Sequence, residues 1–257
     1  MSDHQTRARD LAAASLAAAA GAGAEAAEAV ASAGSSALTR FAGNRIHQNV
    51  AETDAQVSMR AVVGDRSGVA STNRTDAESL MACARAAVAA ATASPPDPAF
   101  PGLPAPQPVA AARPVSAATR DFDATARAQA VSRIVAHSSQ HGLTAAGGIK
   151  VVDQAVAIAN TLGVDVAADM VGLRATVLSM GDAGGSGWAS FVSADAAGLD
   201  ADALGEQAAS LAMRTRDAGE LTPGAYAVVL APEAVADIIE FMGWLAFGAK
   251  SVEEDRS

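Results

Sequence analysis

Two histidines four residues apart, His137 and His141, come nearer to metal chemistry than any other pair in this chain. On a helix that spacing turns both imidazoles to one face, as in a zinc helix, but Ser138 stands where an HExxH motif carries its glutamate base. The pair also falls in the last turn of a predicted helix, where the dipole favours a cation, and solvated C-terminal histidines are the simpler expectation. A metal site on His137 and His141 is therefore the lesser alternative. Cys83 is the only cysteine, which excludes an internal disulfide and a four-thiolate centre. It sits in a predicted buried stripe and reads as a packed thiol rather than a nucleophile. The run GDAGGSG at 181–187 has the glycine-rich form of a protease nucleophile loop, yet Ala183 fills the position a serine would need. No GxSxG elbow or phosphate loop occurs elsewhere.

The elements that must position such groups are organised around 38–76, where turn signals divide short alternating runs. Gly43 and Asn44 both tolerate positive φ and predict a tight hairpin. Beyond it Val57, Met59, Ala61 and Val63 alternate with Gln56, Ser58, Arg60 and Val62, the period that sends one set to a core, and 64–68 turns the chain back into 69–72. Arg40, Asn44, Arg45 and His47 lie on the hairpin without an evident core role, which makes them candidates for contacting a peptide or a partner. A first helix begins at Asp3 or Thr6 and ends at Gly21 and Gly23, and the alanine-rich 25–33 fits a helix or a strand, with the following Gly34-Ser35-Ser36 favouring the strand. A capping box at Thr75 and Glu78 opens a helix with Leu80, Cys83, Ala84, Ala87, Val88 and Ala91 on one stripe. Prolines concentrated in 95–108 predict an extended strap anchored by Phe100 and Leu103. A helix over 122–141 follows, then strands between 143 and 192 with turns at Gly147-Gly148 and Leu162-Gly163. A helix capped by Asp202, a short strand over 225–230 and a last helix from Pro232 complete the reading. It gives three segments: 1–94, a proline-rich connection over 95–114, and, over 115–257, a second α+β portion of the same domain.

Half of the 257 residues are hydrophobic but only 4% are aromatic, and alanine supplies much of the apolar count, so close packing through small side chains is expected. A net charge of -10 and a pI near 4.8 argue against nucleic acid as a partner, because phosphate binding needs a clustered positive surface. The 11–20 run is too weakly apolar for a signal-peptide core, and no run approaches the ~20 apolar residues of a membrane span. A cytoplasmic protein with no membrane partner is the expectation.

TRFAGNRIHQN at 39–49, VVGDRSGVASTN at 62–73 and PPDPAFPGLP at 95–104 resemble, in order and approximate spacing, the N-terminal portion of the TldD/PmbA family of bacterial and archaeal peptidases and peptidase-related subunits. The resemblance continues weakly to the end of the chain. It implies an α+β fold in which antiparallel strands are covered by helices. In the peptidase branch, the helix similar in position to 232–247 carries HExxxH, two metal-binding histidines flanking a glutamate base. Here it reads Ile239-Glu240-Phe241-Met242-Gly243-Trp244-Leu245, with Glu240 and Leu245 in place of the histidines and Phe241 in place of the glutamate. A leucine cannot coordinate zinc, so the family's hydrolytic chemistry is not expected on this chain.

Family members are longer, with a β-rich C-terminal half, and the chain is similar to the N-terminal portion of the non-catalytic PmbA (TldE-like) branch. The resemblance implies no cofactor on this chain, zinc on a TldD-like partner, and pairing with that partner or with itself around an extended peptide. Without a C-terminal half to cover them, Phe241, Trp244, Leu245 and Phe247 are candidates for an interface. The reading is thus a non-catalytic metallopeptidase-related subunit. A metallopeptidase using His137 and His141, or a free-standing peptide-binding scaffold, stands as the alternative.

Overall fold

Alternation of small apolar and polar residues builds two long strands, β1 (Ala26–Ala42) and β2 (Arg45–Val63). Ala27, Ala29, Ala31 and Ala33 of β1 and Ala55, Val57, Met59 and Ala61 of β2 point to one face and are buried. Gly43 at φ 58° and Asn44 at φ 61° join them, the two positive angles that a type I′ hairpin requires. The computed structural model describes residues 1–110 and 114–257, so 111–113, within the proline-rich connection, lie outside the described residues.

Four more strands complete one sheet: β3 (Arg66–Thr72), β4 (Thr144–Asn160), β5 (Asp165–Met180) and β6 (Ser186–Ser193). Their order is β3-β2-β1-β4-β5-β6 and every neighbouring pair is antiparallel. The strands expected over 143–192 are therefore continuous with the first three, joined where β1 pairs β4 with Ser35 opposite Asp153. Helices α1 (Asp3–Gly21), α2 (Ala77–Ala93), α4 (Ala124–Gln140) and α5 (Ala201–Thr215) cover the face that carries Ala29, Met59, Gly68, Ala157 and Ala175, with a single turn α3 (Ala117–Arg120) before α4. The fold class is α+β, as expected. The two larger cores are an alanine-rich one under α1 and α2 and one under α4 and α5 that holds Phe41, Ile134, Ile149 and Leu173, and a small third joins Leu143 to Ala209 and Ala212 of α5.

The order helix, three strands, helix occurs twice, as α1-β1-β2-β3-α2 and as α4-β4-β5-β6-α5. The same device recurs in both halves. Gly68 of β3 and Gly187 of β6 lie so close to the backbones of α2 and α5 that a Cβ on either would collide with a main-chain atom. Each closing helix thus packs against its edge strand through a glycine.

Several local expectations shift. The cap of α2 is Asp76, not Thr75: its carboxylate accepts from the Ser79 amide at 2.9 Å and from the Ser79 hydroxyl at 2.8 Å, a stronger acceptor than a threonine hydroxyl. The cap of α5 is Asp200, two residues before Asp202, and it accepts from both the Asp202 and Ala203 amides. Gly147 and Gly148 lie inside β4 rather than in a turn. No strand forms over 225–230, where the residues are exposed and have no ladder partner.

The chain divides into two compact units, Met1–Ala218 and Gly219–Ser257. The second unit, Gly219–Ser257, contains α6 (Pro232–Leu245), opened by Pro232 as predicted, and α7 (Ala249–Glu253). No helix among the described residues is long and apolar enough to cross a membrane.

Candidate functional site

Because strand side chains alternate, the even-numbered residues of β1, β4 and β5 point away from the helices. At the hairpin end of the sheet this alternation places Arg40, Lys150 and Arg174 on three adjacent strands. Lys150 stands directly opposite Arg174, and Arg40 lies one step diagonally from Lys150, opposite Gly148. Together with His47, at the register shift between β1 and β2, they line a depression of about 390 Å³. Gly148 and Thr176 form part of its floor, and the missing side chain at Gly148 leaves the space open.

All three cations are exposed, and among the described residues none of them makes an ion pair or a hydrogen bond. Other basic side chains of this acidic chain do pair: Arg9 with Asp165, Arg60 with Glu28, Arg120 with Asp153 and Asp169, Arg133 with Asp202. Glu52 borders the cluster and shares an adjoining hollow with Lys150, beyond ion-pair distance. Like charges directly opposite on paired strands are destabilising, so the Lys150–Arg174 pair is not there for the stability of the sheet.

Beneath the same end of the sheet, Arg127 of α4 is only 4% exposed. Its Nε donates to Thr39 Oγ1 at 2.9 Å, Nη1 to the Phe122 carbonyl at 3.0 Å and Nη2 to Asn49 Oδ1 at 3.3 Å. Thr39 in turn donates to Asn49 Oδ1 at 3.0 Å. Burial pushes the guanidinium pKa down, opposed by the charge of Asp123. This network ties the stem of the hairpin to α4, and it holds the strand that carries Arg40. Sequence reading passed over Arg127, although its spacing of three, four, seven and eight residues from Ala130, Val131, Ile134 and Val135 puts it on the buried stripe of α4.

Of the four hairpin candidates, Asn44 is taken up structurally. Its Nδ2 donates to the Leu143 carbonyl at 2.9 Å and its Oδ1 accepts from the Ala145 amide at 2.6 Å, which clamps the turn to the start of β4. Arg40, Arg45 and His47 are exposed, and Arg40 and His47 line the depression.

Residues 27–91, from β1 into α2, match the family described as PmbA/TldA metallopeptidase domain 1. The solved structure of TldE from Thermococcus kodakarensis shares the fold, with a TM-score of 0.67 at 15% identity over 76% of this chain and 45% of that one. The chain has the N-terminal fold of the PmbA/TldD family. Two proteins described as candidate modulators of DNA gyrase are similar in the same way. The one from Thermotoga maritima has a TM-score of 0.65 at 15% identity over 79% of this chain and 47% of its own. The one from Bacteroides thetaiotaomicron has a TM-score of 0.65 at 15% identity over 80% and 49%. The chain thus spans about half the length of these relatives. No curated protein matches it in sequence.

In this PmbA/TldD-type fold the histidine pair sits at the C-terminal end of α4. His137 Nε2 lies 3.4 Å from Asp202 Oδ1 on α5, while His141 is the exposed C-cap residue of α4. Cys83 is buried, and burial pushes its thiol pKa up, away from reactivity. Phe241, Trp244 and Leu245 lie on α6 and Phe247 just after it, and no side chain of α6 is buried. Among the described residues no group of three or more histidine, cysteine, aspartate or glutamate side chains is arranged to hold a metal ion.

Proposed function

We propose that this chain is part of a non-catalytic, TldE-like subunit of the PmbA/TldD family, which pairs with a TldD-like zinc peptidase in the processing of extended peptides. The observation that carries the reading is the sequence of α6 in a chain with a PmbA/TldD first domain. Where the peptidase branch has HExxxH, this helix has Glu240, Phe241 and Leu245. Neither a leucine nor a phenylalanine can supply a zinc ligand or a base. On this reading the chain holds no cofactor, the zinc belongs to the TldD-like partner, and both act in the cytoplasm.

Co-expression of this chain with a TldD-like subunit from the same genome tests the pairing. The expected result is a complex that survives size-exclusion chromatography, with zinc following the partner. Elemental analysis of this chain purified alone is expected to give no stoichiometric zinc. About one zinc per chain, lost when His137 and His141 are changed to Ala, would overturn the non-catalytic assignment.

A further inference from the structure

The depression at Arg40, Lys150 and Arg174 is not explained by pairing with a peptidase, and its chemistry points to a ligand of its own. The chain carries 28 acidic and 18 basic residues, so three unneutralised cations side by side on one sheet face oppose the general charge of the molecule. Guanidinium groups bind carboxylates through two parallel hydrogen bonds, and a nearby ammonium adds charge without directional demand. The cluster therefore matches a group of carboxylates rather than a single neutral dipole.

A second hollow adjoins the cations. Lys150 and Arg174 also line a second depression of about 400 Å³, whose other walls include Val152, Gly172 and Val192. Val192 stands opposite Arg174 on β6 and is 70% exposed. Lys150 and Arg174 thus stand between two neighbouring depressions on this face, a cationic one at the hairpin end and a more aliphatic one beyond it. A lone inorganic oxyanion would leave the aliphatic depression unused, whereas an extended chain with acidic residues next to aliphatic ones would occupy both.

We infer that these two adjoining depressions bind an acidic polypeptide segment, with Arg40, Lys150 and Arg174 holding its carboxylates and Val152 and Val192 receiving the aliphatic side chains that follow. The inference goes beyond the subunit assignment and stands whether or not a TldD-like partner is bound.

Fluorescence polarisation on the full chain tests it. The probe is a labelled peptide in which a run of glutamates is followed by valines, compared with the same peptide carrying glutamines. The expected result is binding of the glutamate peptide that weakens with added salt and a markedly weaker response to the glutamine peptide. Lys150→Gln with Arg174→Gln should weaken binding at least about tenfold, while Arg85→Gln, an exposed cation on α2, should change it less than about twofold. The double variant should unfold at the same temperature or a higher one, because a like-charge pair is removed. Lys150→Glu with Arg174→Glu should instead favour a lysine-valine peptide. Unchanged binding in the double variant, or equal binding of the glutamine peptide, overturns the site. Inorganic phosphate that binds as tightly as the glutamate peptide and fully displaces it would overturn the polypeptide as occupant.

Discussion

Asn44 shows how one side chain can serve both the local backbone and a distant strand. It occupies the left-handed region at φ 61°, which asparagine tolerates better than most residues, and its amide bridges to Leu143 and Ala145. Asn44→Ala should lose both bonds and add backbone strain, about 2–4 kcal/mol in all. Asn44→Gly removes the strain but not the loss of bonding, and should fall between the two. Urea unfolding monitored by circular dichroism measures this directly, and a neutral Asn44→Ala would show that the clamp is incidental. Arg127 belongs to the same scale. It is a charge held below the sheet by a hydroxyl, a carbonyl and an amide oxygen rather than by a carboxylate, which suits a structural tie more than a reactive group.

At the scale of elements, the edge strands are fastened by glycine. A methyl group at Gly68 or Gly187 would enter the backbone of α2 or α5, so Gly68→Ala and Gly187→Ala should each cost about 1–3 kcal/mol or more, read as a fall in unfolding temperature. Gly219→Ala, where nothing lies within reach, serves as the control. A destabilisation no larger than the control's would mean that the helices can shift outward freely. Elements of this kind were legible in the sequence where local chemistry decides them. Gly43-Asn44 announced the hairpin, Pro232 opened its helix, and the stripe of Leu80, Cys83, Ala84 and Ala87 is buried as its period predicts. What was not legible depends on residues far apart in the chain. Gly147-Gly148 has turn composition, but inside β4 its lack of side chains admits Phe41 on one face and opens the depression on the other. The cationic trio was likewise hidden, since only Arg40 lies on the hairpin and the register of β1 with β4 and of β4 with β5 brings Lys150 and Arg174 beside it. The 225–230 run has strand composition without a strand, because alternation alone supplies no partner edge.

At the scale of the molecule, the two units differ in how they hold their apolar residues. The first buries its apolar residues in packed cores, whereas in the second neither α6 nor α7 buries a side chain, and Trp244 is 87% exposed. Trp188→Phe leaves Trp244 as the only tryptophan, and its emission should then be that of an indole in water, readily quenched by acrylamide. Binding of a hydrophobic dye should fall in Trp244→Ser and Phe247→Ser. A monodisperse monomer with blue-shifted, quencher-protected emission would refute this exposure. The pairing of β1 with β4 has a consequence of another kind, in the order of synthesis. The inner neighbour of β1 is made roughly a hundred residues after it, so on a ribosome working at about 5–20 residues per second the future centre of the sheet waits several seconds as an open edge. An exposed edge invites pairing with other nascent chains. Through most of its length β1 is alanine, serine and glycine, residues with little intrinsic preference for extended structure. The small side chains that let helices settle closely on the finished sheet also make its unfinished half a poor template for strangers.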